Sequence, residues 1–264
     1  MGLLATIRGT TADTGVHAIY TFSSGDTTNL DLRTRLISTG TIKNNRSTKH
    51  IKVIIPVGVT IGSSNTSYPV LNITNFNSNE ILTVINNGNI YGAGGAAGSA
   101  GSAGCCGGAC NCSCQYATPG TNGSNGGNAL YIASRCTIIN NGYIYGGGGG
   151  GGGSGGTYGT SCGGCGGQGC CACHFCPGPG TSGSYQCFYH GEYPGGAGGV
   201  GQGYGQPTGG GAGGGAGGTY GVGGFAGGAG YSGVTSSGGV PGYYISGINN
   251  VAFVNNGSVL GSVQ

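Results

Sequence analysis

Between His50 and Tyr91 the apolar positions are closely spaced and mostly β-branched. Ile51, Val53, Ile54, Ile55, Val57, Val59 and Ile61 run up to Gly62-Ser63-Ser64-Asn65, and Ile81 to Ile85 repeats the signal. Such runs, bounded by turn residues, predict β-strands. Ahead of them, Val16 to Phe22 and Leu30 to Ile37 are short apolar runs broken by polar residues in a Thr-rich stretch. That first segment reads as a small attachment piece, β or irregular.

A repeat extends the pattern. Leu82-Thr83-Val84-Ile85-Asn86-Asn87-Gly88-Asn89-Ile90-Tyr91-Gly92 aligns with Cys136-Thr137-Ile138-Ile139-Asn140-Asn141-Gly142-Tyr143-Ile144-Tyr145-Gly146, and Ala252 to Gly261 forms a third copy around Asn255-Asn256-Gly257. In each, a short strand meets Asn-Asn-Gly, where Asn-Gly readily takes the positive φ of a tight turn, and a second strand follows. Each copy is expected to be a β-hairpin or a strand corner, and the first two lead straight into glycine.

Composition then changes the picture. Of 69 glycines in 264 residues, eight are consecutive, Gly146 to Gly153. Glycine has no side chain to bury, and ordering its backbone costs roughly 1–2 kcal/mol per residue, so no ordinary apolar core can form there. Collagen needs Gly at every third position with abundant Pro, and only 8 prolines are present. The ordered alternative to a low-complexity chain is a bundle of polyproline-II-like glycine helices. These have no internal hydrogen bonds and must pair their amides and carbonyls with neighbours. The expected tracts are 92–108, 146–156, 195–205, 209–218 and 221–230, with loops rich in Tyr, Asn, Ser, Thr and Pro gathered at the bundle's ends.

The expected fold class is therefore mostly irregular and β, with essentially no α-helix. Residues 1–50 form an N-terminal docking segment and 51–91 a β-strand region. A layered polyglycine-II bundle with its loops takes 92–242, and a closing strand or hairpin takes 243–264.

Charge narrows the function classes. Seven of the eight basic residues and Asp13, Asp26 and Asp31 lie in the first 52 positions; beyond Lys52 only Glu80, Arg135 and Glu192 are charged. Little material remains for acid–base work or phosphate binding, and the net charge of +3 reads as a modest docking surface, with no nucleic-acid partner. No secretory signal peptide is visible, and no stretch approaches the roughly 18 apolar residues of a membrane span. Catalytic residues are expected to be none. His17, His50, His174 and His190 are scattered without a supporting acid, and nothing in the sequence brings Glu80 and Glu192 together.

Thirteen cysteines are the main chemical candidates: Cys105, Cys106, Cys110, Cys112, Cys114, Cys136, Cys162, Cys165, Cys170, Cys171, Cys173, Cys176 and Cys187. Adjacent pairs suit a disulfide framework, which would restrict the unfolded chain of a protein with little apolar core. Cys162, Cys165, Cys173 and Cys176 instead have the spacing of a zinc or iron knuckle. No cofactor is favoured; metal at that cluster and free thiols are the alternatives, and the odd count leaves at least one cysteine unpaired if only disulfides form.

Three stretches carry a family resemblance: Val57 to Val70, Val84 to Gly92, and Gly242-Tyr243-Tyr244-Ile245-Ser246-Gly247 through Asn255 to Gly261. Over roughly residues 50 to 264 the chain resembles the glycine-rich tip adhesins of bacteriophage tail fibres. The thirteen cysteines depart from that pattern. The resemblance implies a receptor-binding adhesin on the virion at the distal tail fibre. An N-terminal segment would dock on a tail-fibre protein, and loops would meet a host surface receptor, with no enzyme activity and no membrane insertion. By this resemblance the functional loops are 116–125, 174–194, 204–208 and 231–244. The receptor candidates are Tyr116, His174, Phe175, Tyr185, Phe188, Tyr189, His190, Glu192, Tyr193, Tyr204 and Tyr231, because rigid aromatics offer contact area at low entropic cost. The plainer reading has such rings covering glycine faces, as expected of Tyr91, Tyr143 and Tyr145. Two other classes stay open, an antifreeze or purely structural glycine-helix protein and a metal-dependent enzyme at the cysteines.

Overall fold

The computed structural model describes residues 16–23, 29–43, 48–102, 104–107, 113–114, 118–156, 158–159, 194–228 and 234–264. Its strands are β1 (Val16–Thr21), β2 (Leu30–Asp31), β3 (Thr48–Ile55), β4 (Thr60–Gly62), β5 (Leu71–Ile73), β6 (Ile81–Asn86), β7 (Asn89–Tyr91), β8 (Gly104–Gly107), β9 (Ser113–Cys114), β10 (Leu130–Ile132), β11 (Cys136–Asn140), β12 (Tyr143–Tyr145), β13 (Tyr158–Gly159), β14 (Ile245–Ser246), β15 (Val251–Asn255) and β16 (Ser258–Leu260). One α-helix occurs among the described residues, α1 (Leu32–Ser38), capped by the Asp31 carboxylate accepting from the Thr34 amide.

Three parallel sheets stack the strands in the orders β1-β3-β6-β11-β15, β4-β7-β12-β16 and β2-β5-β10-β14. The chain visits the first, the second and then the third sheet before returning to the first, so it winds as a three-sided β-solenoid. Alternation along each strand sends one set of side chains inward. Ile51, Val53, Leu82, Val84 and Ile138 from the first sheet meet Ile61, Ile90 and Ile144 from the second and Leu71, Ile73, Leu130 and Ile132 from the third, all essentially buried. Leu32 and Leu36 of α1 join this core, and Arg33 forms a buried ion pair with Glu80 at 2.9 Å. The described part of the first 50 residues thus opens the same solenoid, and β3 runs across the expected boundary at residue 50.

The repeat copies are strand corners between two sheets, so the hairpin alternative fails. β6 pairs with β3 and β11, and β7 with β4 and β12, all in parallel. The role expected for Asn-Asn-Gly is also corrected. Gly88, Gly142 and Gly257 are absent from the positive-φ residues; they are glycine because a Cβ on Gly142 or Gly257 would strike the carbonyl of Gly88 or Gly142 in the preceding coil. The asparagines form ladders. Asn86 Nδ2 donates to Asn140 Oδ1 at 2.7 Å and Asn140 Nδ2 to Asn255 Oδ1 at 2.8 Å, with Asn86 and Asn140 fully buried.

The glycine tracts are insertions at one corner, where the chain leaves the second sheet for the third. Residues 92–129 enter between β7 and β10, and residues 146–244 between β12 and β14. The span 92–242 is therefore two insertions, separated by the solenoid strands of Leu130–Tyr145. At the centre lies 146–156, whose amides serve three neighbours in rotation. Gly147, Gly150, Gly153 and Gly156 donate to Gly127, Ser124, Thr121 and Thr118; Gly148, Gly151 and Ser154 to Gln202, Gly199 and Gly196; Gly149, Gly152 and Gly155 to Val222, Phe225 and Gly228, at 2.8 to 3.1 Å. Because the bonding repeats every third residue, the tract turns three faces outward in succession, and all three are covered by other backbone. On each face a Cβ would overlap a carbonyl: Ala96 O for Gly150, Gly215 O for Gly151 and Gly239 O for Gly149. Eight consecutive glycines are what a tract enclosed on every side requires.

Two further tracts, 118–128 and 234–243, overlap the loops expected at 116–125 and 231–244. Both belong to the bundle: 118–128 is bonded to 92–102, 146–156 and 234–243, and 234–243 to 118–128, 146–156 and 224–227. The expected tract 209–218 instead reverses at Gly213 (φ 91°). Gly209 bonds to Val200 and Gly217, while Gly215 and Gly218 bond to Gly152 and Gly149.

Replacing Gly150 by Ala is expected to cost about 1–3 kcal/mol, because backbone on every side leaves no flexible side chain to give way. Ala96→Ser on the exposed rim is expected to stay within about 0.5 kcal/mol. Thermal or denaturant unfolding of the two variants checks the contrast.

Candidate functional site: the outer end of the glycine bundle

At the margin of the bundle, side chains complete what glycine backbones do at its centre. Asn122, Asn125 and Asn128 stand three residues apart, on one face of a three-per-turn chain. Their Oδ1 atoms accept from the amides of Ser237, Val240 and Tyr243 at 2.7, 3.1 and 2.9 Å. On the opposite flank, Thr121 and Thr118 hydroxyls accept from the amides of Ser99 and Ser102 at 2.7 and 2.8 Å. The sequence reading missed this scaffold, though the period-three asparagines, each beside or near a glycine, were a visible signal for it.

These bonds fix which ends of the tracts lie together. Thr118 N donates to Ser102 O, Gly156 N to Thr118 O, Gly195 N to Gly101 O, Gly155 N to Gly228 O and Gly227 N to Ser236 O. Hence Ser102, Thr118, Gly156, Gly195, Gly228 and Ser236 all belong to the end of the bundle away from the sheets. The segments 103–117, 157–193 and 229–233 spring from it. A small sheet continues the outer end: β8 pairs with β9 in antiparallel and with β13 in parallel. Cys105, Cys106 and Cys114 are strand residues of that sheet.

Most candidate contact residues belong to these segments by sequence. Tyr116, His174, Phe175, Tyr185, Phe188, Tyr189, His190, Glu192, Tyr193 and Tyr231 lie outside the described residues, as do Cys110, Cys112, Cys162, Cys165, Cys170, Cys171, Cys173, Cys176 and Cys187.

Tyr204 is different. Its amide donates to Gly92 O, and its ring covers Gly62, where a Cβ would collide with it. The 204–208 loop therefore sits against the solenoid. The Tyr204 ring is a lid on a glycine.

Tyr91, Tyr143 and Tyr145 stand on the outer face of the second sheet, joined by Tyr220. Tyr91 stacks on Tyr145 at 5.5 Å and meets Tyr220 at 4.9 Å, and the Tyr145 hydroxyl donates to Ser258 Oγ at 3.1 Å. Burial, with Tyr91 alongside, pushes the Tyr220 phenol up to about 12. These rings pack on one another at the root of the bundle, as lids would.

Among the described residues no group of three or more His, Cys, Asp or Glu is placed to hold a metal. Cys136, a disulfide candidate by sequence, is a buried free thiol on β11. It is a core residue, and burial raises its pKa to about 12.

A sequence model of the family described as "Phage tail fibre adhesin Gp38" matches residues 16–264. The chain belongs to this phage tail-fibre adhesin family. Its place is the virion, at the distal tail fibre. Among solved structures, the adhesin is similar to the crystal structure of the gp37–gp38 adhesin tip complex of the bacteriophage S16 long tail fiber. That match has 20% identity, a TM-score of 0.46, and coverage of 94% of this chain and 82% of that one. No curated protein sequence matches the adhesin.

Burial pushes the Cys136 thiol up to about 12, so it stays protonated at pH 8, and the thiolate is the reactive form. The folded value lies above the unfolded one. The stability this group supports is thus complete below the unfolded thiol's pKa and is lost as pH climbs towards 12. Alkylation of Cys136 at pH 8 is expected only after denaturation, as mass spectrometry of native and unfolded samples would show.

Proposed function

We propose that the adhesin recognises a host cell-surface molecule through the segments carried on the outer end of a polyglycine-II bundle, chiefly 174–194. The observation that carries this reading is the convergence of tract ends. Segments from separate parts of the sequence spring from one end, opposite the solenoid, on a frame made of backbone hydrogen bonds. The period-three bonding and the glycine-only spacing support calling that frame polyglycine II. With one carboxylate and no lysine or arginine beyond Arg135, recognition rests on aromatic stacking and polar contacts, and the protein acts by binding, with no cofactor.

The antifreeze alternative has one feature in its favour, a row of small exposed residues at Ala96, Ser99 and Ser102 beside Thr118, Thr121 and Ser124. Yet Thr118 and Thr121 turn their hydroxyls onto the neighbouring backbone, which makes this row a seam between tracts. Membership of an adhesin family also favours the binding role.

At the other end, the N-terminal segment is proposed to hold the tail-fibre protein. Among the described residues β1 is the edge strand of its sheet, paired with β3, and edge strands accept further partners. Its outward face carries Ile19, 65% exposed, next to exposed Lys52 in register, and Ile81 extends the apolar surface.

Exchanging residues 174–194 for those of a relative with another host is expected to redirect adsorption of the assembled phage, whereas Tyr204→Ala is expected to leave host choice unchanged. Retained host range after the exchange would overturn the receptor assignment. For the fibre end, Ile19→Glu combined with Lys52→Glu is expected to reduce co-purification with the tail-fibre protein by tenfold or more (about 1.4 kcal/mol) while the unfolding midpoint holds. Undiminished co-purification would place the contact elsewhere.

A further inference from the structure

Twelve of the thirteen cysteines lie outside the solenoid strands, in 105–114 and 162–187, and the backbone sets two of them opposite each other. In the antiparallel pair of β8 and β9, Cys106 registers with Cys114 and Gly107 with Ser113. Cys105 registers instead with Gly159 of β13. Successive residues of a strand belong to opposite faces, so Cys106 shares a face with Cys114 and Cys105 does not. Directly opposed residues of an antiparallel pair have Cα atoms about 4.5–5.5 Å apart, within the window of about 4.4–6.8 Å that a disulfide spans.

We propose that Cys106 and Cys114 form a disulfide that closes the 103–117 segment on the outer end of the bundle. Each thiol gives up its proton, the sulfurs together give up two electrons, and an S–S bond replaces two S–H bonds. Dissolved dioxygen accepts the two electrons and two protons and leaves as hydrogen peroxide. Thiols stay reduced in a bacterial cytosol, so the bond forms once the particle meets an oxidising exterior. Its physical use follows from the composition of the tip. Segment 103–117 is made of Cys, Gly and Ala with single Asn, Ser, Gln and Tyr residues, too little apolar area for a core, and a crosslink holds it by removing conformations from the unfolded chain. The inference does not depend on the receptor reading.

The test uses the full-length adhesin purified in air. Denatured without reductant and treated with iodoacetamide, the wild type is expected to leave Cys106 and Cys114 unlabelled. Backbone fragment ions from between those positions are expected only after reduction, which adds about two mass units for the bond. C106S is expected to make Cys114 labelable, C114S to do the same for Cys106, and C105S to leave both protected. Labelling of both thiols in the wild type would overturn the proposal. So would continued protection of Cys114 in C106S, or protection that a chelator removes without reductant, which would assign the thiolates to a metal. Because the wild-type fragment pattern is read without any substitution, a variant that fails to fold does not blur the outcome.

Discussion

Everything beyond the solenoid depends on direct hydrogen bonding between main chains that approach closer than any side chain permits. In an ordinary core, apolar area removed from water holds the chain. Here each amide of the central tract finds a carbonyl on a neighbouring tract, and each neighbour sits where a Cβ would have to be. One hydrogen bond contributes only about 0.5–1.5 kcal/mol net, and ordering glycine backbone costs at least as much per residue. The bundle is therefore cooperative by necessity. The central tract is not stable alone, because its amides from Gly147 to Gly156 all bond outward, and it needs every neighbour.

That cooperativity explains the solenoid. Parallel coils fix the level at which each tract leaves the second sheet: Tyr91 and Tyr145 are register partners on β7 and β12, so the tracts that follow them start side by side. The bond from Gly92 N to Tyr145 O continues the ladder of the sheet into the first bond of the bundle. Three more at three-residue steps, from Gly95, Gly98 and Gly101, carry it outward. Asparagine does related work in both parts. Stacked Asn86, Asn140 and Asn255 hold the coil corners, and Asn122, Asn125 and Asn128 bind a neighbouring tract where no glycine face is available.

A frame built from backbone places almost no demand on the segments at its outer end. The bonds that hold the tracts run between main-chain groups and do not specify side chains. Shortage of charge fits as well: amides and carbonyls are already paired, and a charged side chain inside the bundle would find neither room nor partner.

Glycine content and the tripled Asn-Asn-Gly segment were enough, by themselves, to determine that β-strands lead into a bundle of backbone-bonded tracts, and the eight-glycine run marked its centre. Those signals are local, since a missing Cβ or an alternating β-branched run is visible residue by residue. Tertiary structure decided what depends on a neighbour's position. Strand corners and hairpins share one local pattern and differ only in which strand pairs with which. The tracts at 118–128 and 234–243 were hidden because a tract at the margin needs glycine on one face only, leaving Asn, Ser and Val on the others. Tyr204 looked like any loop tyrosine until the fold set its ring over Gly62, at the end away from the tip, because which end a loop occupies is settled by the direction of the tracts it joins.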